Sequence, residues 1–493
     1  MRLFEDTLPI SGEEKTIRPK GYTGLHAFHK YWGKKPLEVL AFLIEHLTAP
    51  HDLVMDPFAG SGTAGIEALR LNRRFIGFDL NPIATKLTAF QLNPPPLASV
   101  AAAFQRVENE AKPQIMQSYH SARFSTPATH YLWEGKSLRE VWDVRRGKNG
   151  RNVYKSTPDD LYLSQEFQQY LPINFRLPKF FSNSRINAKS DLLVSDIFTG
   201  RALRNIDILL GAIQGLPETE RDSLLLALTA AVGQMSKMVF AITGRGKTTG
   251  DKSEKTEVGS WVIGFWRPHL HFEINVWTCF ENKVKKMLPA LADADQSYKQ
   301  KTSSTVTDVL QGSASYSVQQ GDAVTLMEDL PEHSADLIVT DPPHGDRQPY
   351  LELSELWNAL LNVSVDFAKE IVVSDAAERN KNLDEYNVRM KKFFHLAASR
   401  VKSTGVLALL FNASDSLSWE FLVDCRETVG QHGMDYLGCF PAKYSALSVV
   451  QDNREGSLKH DYVLLFALSP DKYRTLCGGF PGWSVEMPIP EDK

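Results

Sequence analysis

Short apolar runs and helically spaced apolar positions alternate near both ends of the chain. Leu53-Val54-Met55, within residues 52–56, has the length of a buried strand, and residues 64–71 carry apolar side chains at helical spacing. Residues 74–79 form a second strand, and Asn81-Pro82 turns the chain into another helix. An earlier helix is predicted over residues 37–47. The alternation resumes with a strand over 316–323, a short helix over 326–330 and a strand over 335–339. A helix then opens in 349–357, and residues 405–412 make another buried strand. This order predicts an α/β protein with a doubly wound sheet. Between the two regions Asn93-Pro94-Pro95-Pro96 breaks the pattern. Residues 97–315 interrupt the sheet, and the helical spacings in 203–213 and 223–238 predict a mostly helical insertion. The expected division is 1–96 and 316–470 for the sheet domain, 97–315 for the insertion and 471–493 for a Pro- and Gly-rich tail.

Composition narrows this picture only slightly. The chain has 493 residues, 43% hydrophobic and 23% charged, which suits two or three globular domains. A net charge of -4 supplies no global field toward nucleic acid, so any such contact must come from local basic patches. Four scattered cysteines show no metal-ligand spacing, so neither a disulfide framework nor a metal site is expected. No signal-peptide core or membrane-length apolar run is visible. A cytoplasmic location, with no membrane partner, is the expectation.

Three strand ends carry candidate chemistry. After 335–339 comes Thr340-Asp341-Pro342-Pro343-His344. The two prolines stop the ladder and stiffen the exit, holding the Asp341 carboxylate beside the rigid carbonyl of Pro342. Together they can accept both hydrogens of an exocyclic amino group. Upstream, Asp56-Pro57-Phe58-Ala59-Gly60-Ser61-Gly62-Thr63 makes a tight turn whose glycines permit close ligand approach. It does not fit a phosphate-cradling loop, and Asp56 would repel a pyrophosphate but suits the ammonium of a methionine-like ligand. About twenty residues on, Asp79, followed by Leu80 and Asn81, stands where ribose hydroxyls are gripped.

Asp-Pro-Phe-x-Gly-x-Gly-Thr closely resembles the S-adenosylmethionine-binding motif of DNA methyltransferases, and Asp-Pro-Pro-His resembles the Asp-Pro-Pro-aromatic signature of amino-methyltransferases. With His29 to Pro36, the irregular Trp261-to-Trp277 element and the residues after Asp341, the set is similar to a family of long bacterial DNA methylases, several encoded beside phage-defence genes. The resemblance spans roughly residues 21–470. It implies a Rossmann-like methyltransferase sheet closed by an antiparallel hairpin of residues 434–440 and 461–468. It implies S-adenosylmethionine as cofactor, held by Lys35, Pro36, residues 56–63, Asp79, Leu80, Asn81, Asp322 and Ala323. Asp341, Pro342, Pro343 and His344 would be catalytic, on adenine N6 rather than cytosine N4. Double-stranded DNA with its target base flipped out would be the substrate, and defence or restriction proteins would be partners. His344 departs from the family's aromatic; a neutral imidazole that stacks on the flipped base and a weakened enzyme are the two readings.

Arg145, Arg146, Lys148 and Arg151, interleaved with Trp142 and Tyr154, suit a phosphate backbone or equally a solvated charged face. Arg245 and Lys247 lie in a cationic stretch that reads as a nucleic-acid contact or a loop between helices. Two other functions compete: an RNA guanine-N2 methyltransferase, and a non-catalytic DNA-binding subunit that keeps the cofactor site.

Overall fold

The computed structural model describes residues 17, 19–121, 123–144, 151–189, 191–243, 256–294, 302–345, 348–411, 416–443 and 460–487. Strands β1 (Leu53–Asp56) and β2 (Arg74–Asp79) come first. A second group follows: β3 (His130–Glu134), β4 (Ser137–Val144), β5 (Arg151–Lys155), β6 (Ala241–Ile242), β7 (Glu257–Val258) and β8 (Leu270–Ile274). The last are β9 (Tyr316–Gln320), β10 (Ala335–Thr340), β11 (Val401–Phe411), β12 (Asp435–Lys443) and β13 (His460–Ala467).

The main sheet has seven strands in the order β12-β13-β11-β10-β1-β2-β9. From β9 to β11 the pairs are parallel, whereas β13 runs antiparallel to both β11 and β12. The mixed sheet fits a methyltransferase fold. Alternate residues feed two cores, as parallel strands covered on both faces require. Met55, Ile76, Ile338 and Leu407 pack toward Met390 and Phe393 of the helix Leu383–Arg400. Val54, Phe75, Leu337 and Val406 pack toward the helices Leu37–Leu47 and Thr63–Arg70. Order at the carboxyl edge follows directly: β1 lies between β10 and β2, so Asp56 is flanked by the tips that carry Asp341 and Asp79.

The long stretch between β2 and β9 has its own core, built on the helices Leu97–Gln117, Gly200–Gln214, Glu218–Val232 and Val276–Ala292. It is not only helical. A four-stranded antiparallel sheet, β5-β4-β3-β8, and the β6-β7 pair belong to it. The stretch set apart as a tail also behaves differently from expectation: Tyr473, Cys477 and Phe480 bury against the main sheet. Their apolar area outweighs the Pro and Gly content around them. Among the described residues, no helix is long and apolar enough to cross a membrane.

Candidate active site

Asp56 closes β1, and its Oδ1 accepts from the Phe58 N–H at 3.1 Å and from the Thr340 hydroxyl at 2.6 Å. The second bond ties the tip of β1 to the tip of β10. The turn then needs backbone that side chains resist: Gly60 has φ +54° and Gly62 φ +80°. A Cβ on Gly62 would stand 2.7 Å from Thr88 Cγ2 and 3.0 Å from Thr88 Cα. Asp79 fastens the same turn, accepting from Gly60 N–H and Asn81 N–H, both at 2.8 Å. Burial pushes the carboxyls of Asp56 and Asp79 each up to about 7, their hydrogen bonds offsetting only part of that cost.

Asp341 has both oxygens engaged. His344 Nε2–H donates to Oδ1 at 2.8 Å, and the Lys35 ammonium lies 3.0 Å from Oδ2. Lys35 is shared, since it also donates to Asp461 Oδ2 on β13 at 2.7 Å. Burial acts to raise Asp341, but Lys35 and His344 together outweigh it and hold the carboxyl below its ordinary range. The His344 ring sets its edge on Phe411, with centroids 5.0 Å apart at 73°. Its buried Nδ1 finds no partner among the described residues. Tyr386 O–H donates to the Pro343 carbonyl at 2.6 Å and fixes the proline exit.

These tips open into one cleft of about 950 Å³, counting the space at its mouth. Its walls hold Tyr31 stacked on Tyr350 (6.0 Å, 16°), and Trp32, which also lines it, stacks on Trp357 (4.6 Å, 19°). Glu370 lines it too, accepting from Leu351 N–H at 3.0 Å and pairing with Arg379 at 2.7 Å. Asp322 caps the helix Ala323–Glu328 through Thr325 N–H and pairs with Arg389 at 2.6 Å.

Of the residues singled out in the sequence, Lys35, residues 56–61, Thr63, Asp79, Leu80, Asn81, Asp322, Ala323, Asp341 and Pro343 line this cleft. Pro36 instead precedes the helix Leu37–Leu47, Gly62 starts the helix Thr63–Arg70, and Pro342 and His344 stand outside the lining. Arg151 is exposed on β5, its guanidinium 5.9 Å from the Trp142 ring centroid, and does not line the cleft. Arg145, Arg146, Lys148, Arg245 and Lys247 lie outside the described residues. Tyr350 opens the helix expected in 349–357, whereas Tyr31, Glu370 and Asp461 were not singled out for a role. The aromatic density of residues 21–36 was the one signal that pointed to Tyr31; nothing local marks Asp461. Among the described residues no cluster of three metal-ligating side chains occurs.

Residues 5–89 match the DNA methylase family of N6/N4 type. The chain is 48% identical over 66 residues to the type II methyltransferase M.HindIII of Haemophilus influenzae, covering 13% of this chain and 19% of that protein. It is 38% identical over 68 residues to M2.LlaDCHI of Lactococcus lactis, covering 13% and 25%. With M2.DpnII of Streptococcus pneumoniae the identity is 46% over 54 residues, covering 10% and 20%. The chain thus spans about a fifth to a quarter of the length of the curated relatives it matches. The resemblance read from the motifs is borne out: residues 5–89 carry the DNA methylase signature, and the chain resembles the DNA amino-methyltransferases of the N6/N4 type.

Proposed function

We propose that the protein methylates an exocyclic amino group in DNA, foremost adenine N6, with S-adenosylmethionine as donor. The observation that carries this reading is the Thr340–Asp56 hydrogen bond of 2.6 Å, which brings the two strand tips bearing Asp56 and Asp341 together at one cleft. The residues suit the donor. Asp56 offers an anion to an amino group, Asp79 keeps lone pairs for a diol, and Gly60 lines the cleft where a Cβ would stand 3.3 Å from the Tyr31 ring. When bound, the donor supplies an electrophilic methyl group on a sulfonium.

The chain's own residues act on the nucleophile. An exocyclic amine is weak because its lone pair is delocalised into the base. Asp341, in the cleft lining, and the Pro342 carbonyl, next in the chain, accept hydrogen bonds from its two N–H groups and draw the nitrogen toward tetrahedral geometry. The lone pair is then localised and points along the line of attack. Positioning and fixed charge supply most of the acceleration. His344 takes a different part from a stacking platform: its Nε2–H fixes the rotation of the Asp341 carboxylate. A base within a duplex cannot reach these groups, so the target leaves the stack. Residues 1–96 and 316–470 serve as the catalytic domain, and the Rossmann-like sheet is closed by β12 and β13. Residues 97–315 read the target, and Tyr473, Cys477 and Phe480 brace the sheet from outside.

The test is incubation of the full chain with methyl-labelled donor and DNA or tRNA, followed by nucleoside analysis. N6-methyladenine is the expected product. N4-methylcytosine would move the target, labelled guanine from tRNA would replace DNA with RNA, and donor binding without any labelled nucleoside would leave a non-catalytic subunit.

A further inference from the structure

Beside the cleft wall lies a group of cations: Lys30 falls in the segment His29 to Pro36 singled out in the sequence, and Lys283 and Lys286 do not. Lys30 directly precedes Tyr31 and Trp32, both in the cleft wall. Its ammonium lies 5.0 Å from the centroid of the Trp261 ring, and Trp261 meets Trp32 edge-on at 6.4 Å. The helix Gly24–Phe28, just before Lys30, packs on the inserted helix Val276–Ala292, which carries Lys283 and Lys286. Lys283 is within electrostatic reach of Lys30, and Lys286 of Lys283. On the same helix Lys285 is matched, 2.9 Å from Glu281. Among the described residues Lys30, Lys283 and Lys286 have no carboxylate partner.

We infer that Lys30, Lys283 and Lys286, with Trp261 beside them, form a docking site for the phosphodiester backbone of the nucleic acid whose base enters the cleft. This inference rests on the proposed methylation of DNA. Like charges gathered without counter-charges, two of them half-buried, oppose folding unless a polyanion relieves them. Burial first, then Lys283, pulls Lys30 down to about 8, which marks that cost. A nucleic acid fits better than a membrane surface. Lys30 adjoins the cleft wall through Tyr31, and Trp261 beside it meets Trp32 of the same wall, so a polyanion resting on Lys30 lies next to the cleft that holds Asp341. Beyond Trp261, Val262 and Trp266 are exposed, giving apolar contacts for sugars and bases.

The experiment compares the full chain with a Lys30→Gln/Lys283→Gln/Lys286→Gln variant. Duplex DNA binding is followed by fluorescence anisotropy across a salt series, with donor affinity by calorimetry and the thermal midpoint as controls. Loss of three phosphate contacts lowers the magnitude of the log K against log salt slope by about 2.7. Donor affinity holds, and the midpoint holds or rises, because removing mutual repulsion relieves a cost to folding. If the variant keeps the wild-type slope, the docking site is refuted while the methylation proposal stands. If the wild-type chain binds no nucleic acid in a salt-dependent way, both fall. Loss of binding to phosphatidylserine vesicles with DNA binding unchanged would overturn the site in favour of a membrane surface.

Discussion

Replacing Asp56 with Asn isolates the cost of placing a carboxylate at the tip of β1. Both hydrogen bonds from Phe58 and Thr340 end on Oδ1, so the amide oxygen of Asn can accept them and the geometry survives. The charge alone is removed. In the folded protein the Asp56 carboxyl is raised from 3.8 to about 7, chiefly by burial, with the charges of Asp341 and Asp79 adding to it. A folded pKa above the unfolded one means that the native state holds a proton the unfolded chain has lost. That proton's stabilising contribution is complete below the unfolded value and disappears as pH rises to about 7. Between pH 5 and 7 the slope is about -1.4 kcal/mol per pH unit, or roughly 2.7 kcal/mol over the interval. Asp56→Asn has no such slope. Urea titrations at pH 5, 6, 7 and 8 should find the stability of the variant rising relative to wild type by about 2–3 kcal/mol from the acid end to the alkaline end. Calorimetry should find the opposite for the donor: wild-type affinity climbs with pH as Asp56 ionises, and the variant stays weak throughout. Parallel stability curves for the two proteins, or undiminished donor binding by the variant at pH 8, would refute the reasoning.

Three further perturbations probe the surrounding groups. His344→Ala removes the 2.8 Å donor to Asp341, and a hydrogen bond to a charged group is worth about 1.5–3 kcal/mol, so single-turnover methyl transfer should slow roughly 10- to 150-fold. His344→Tyr, which restores a larger stacking ring, should not recover that rate; full activity in either variant sinks the positioning role. Asp461→Asn removes one carboxylate that draws Lys35 away from Asp341, so stronger competition with the incoming amine should lower turnover while donor affinity, read by calorimetry, is unchanged. Gly62→Ala puts a Cβ 2.7 Å from Thr88 at a positive φ, and thermal and urea unfolding should register a loss of about 1–3 kcal/mol. A variant as stable as the parent would mean that the turn relaxes freely.

What the sequence disclosed, and what it hid, follows from where each residue's partner lies. β1 is buried along its whole length, so its apolar run stood out as a strand. Gly60 and Gly62 are required by the backbone they belong to, and the helix Leu37–Leu47 follows from its own apolar spacing. β4 was missed for the converse reason. In Ser137–Val144 the buried Leu138 is separated from the buried run Val141-Trp142-Asp143 by Arg139 and Glu140, so neither a continuous apolar run nor a period of two marks the strand. Asp461 could not be found locally at all, because its link to Lys35 crosses 426 positions and exists only once β13 has inserted beside β11. That insertion brings an acidic group to the same edge as Asp341, so a lysine read as a cofactor contact is in fact divided between two carboxylates. A motif therefore specifies which groups stand at a strand tip. Which of them are already bound to one another is decided by strand order, and here that order places the Lys35 ammonium 3.0 Å from Asp341 Oδ2.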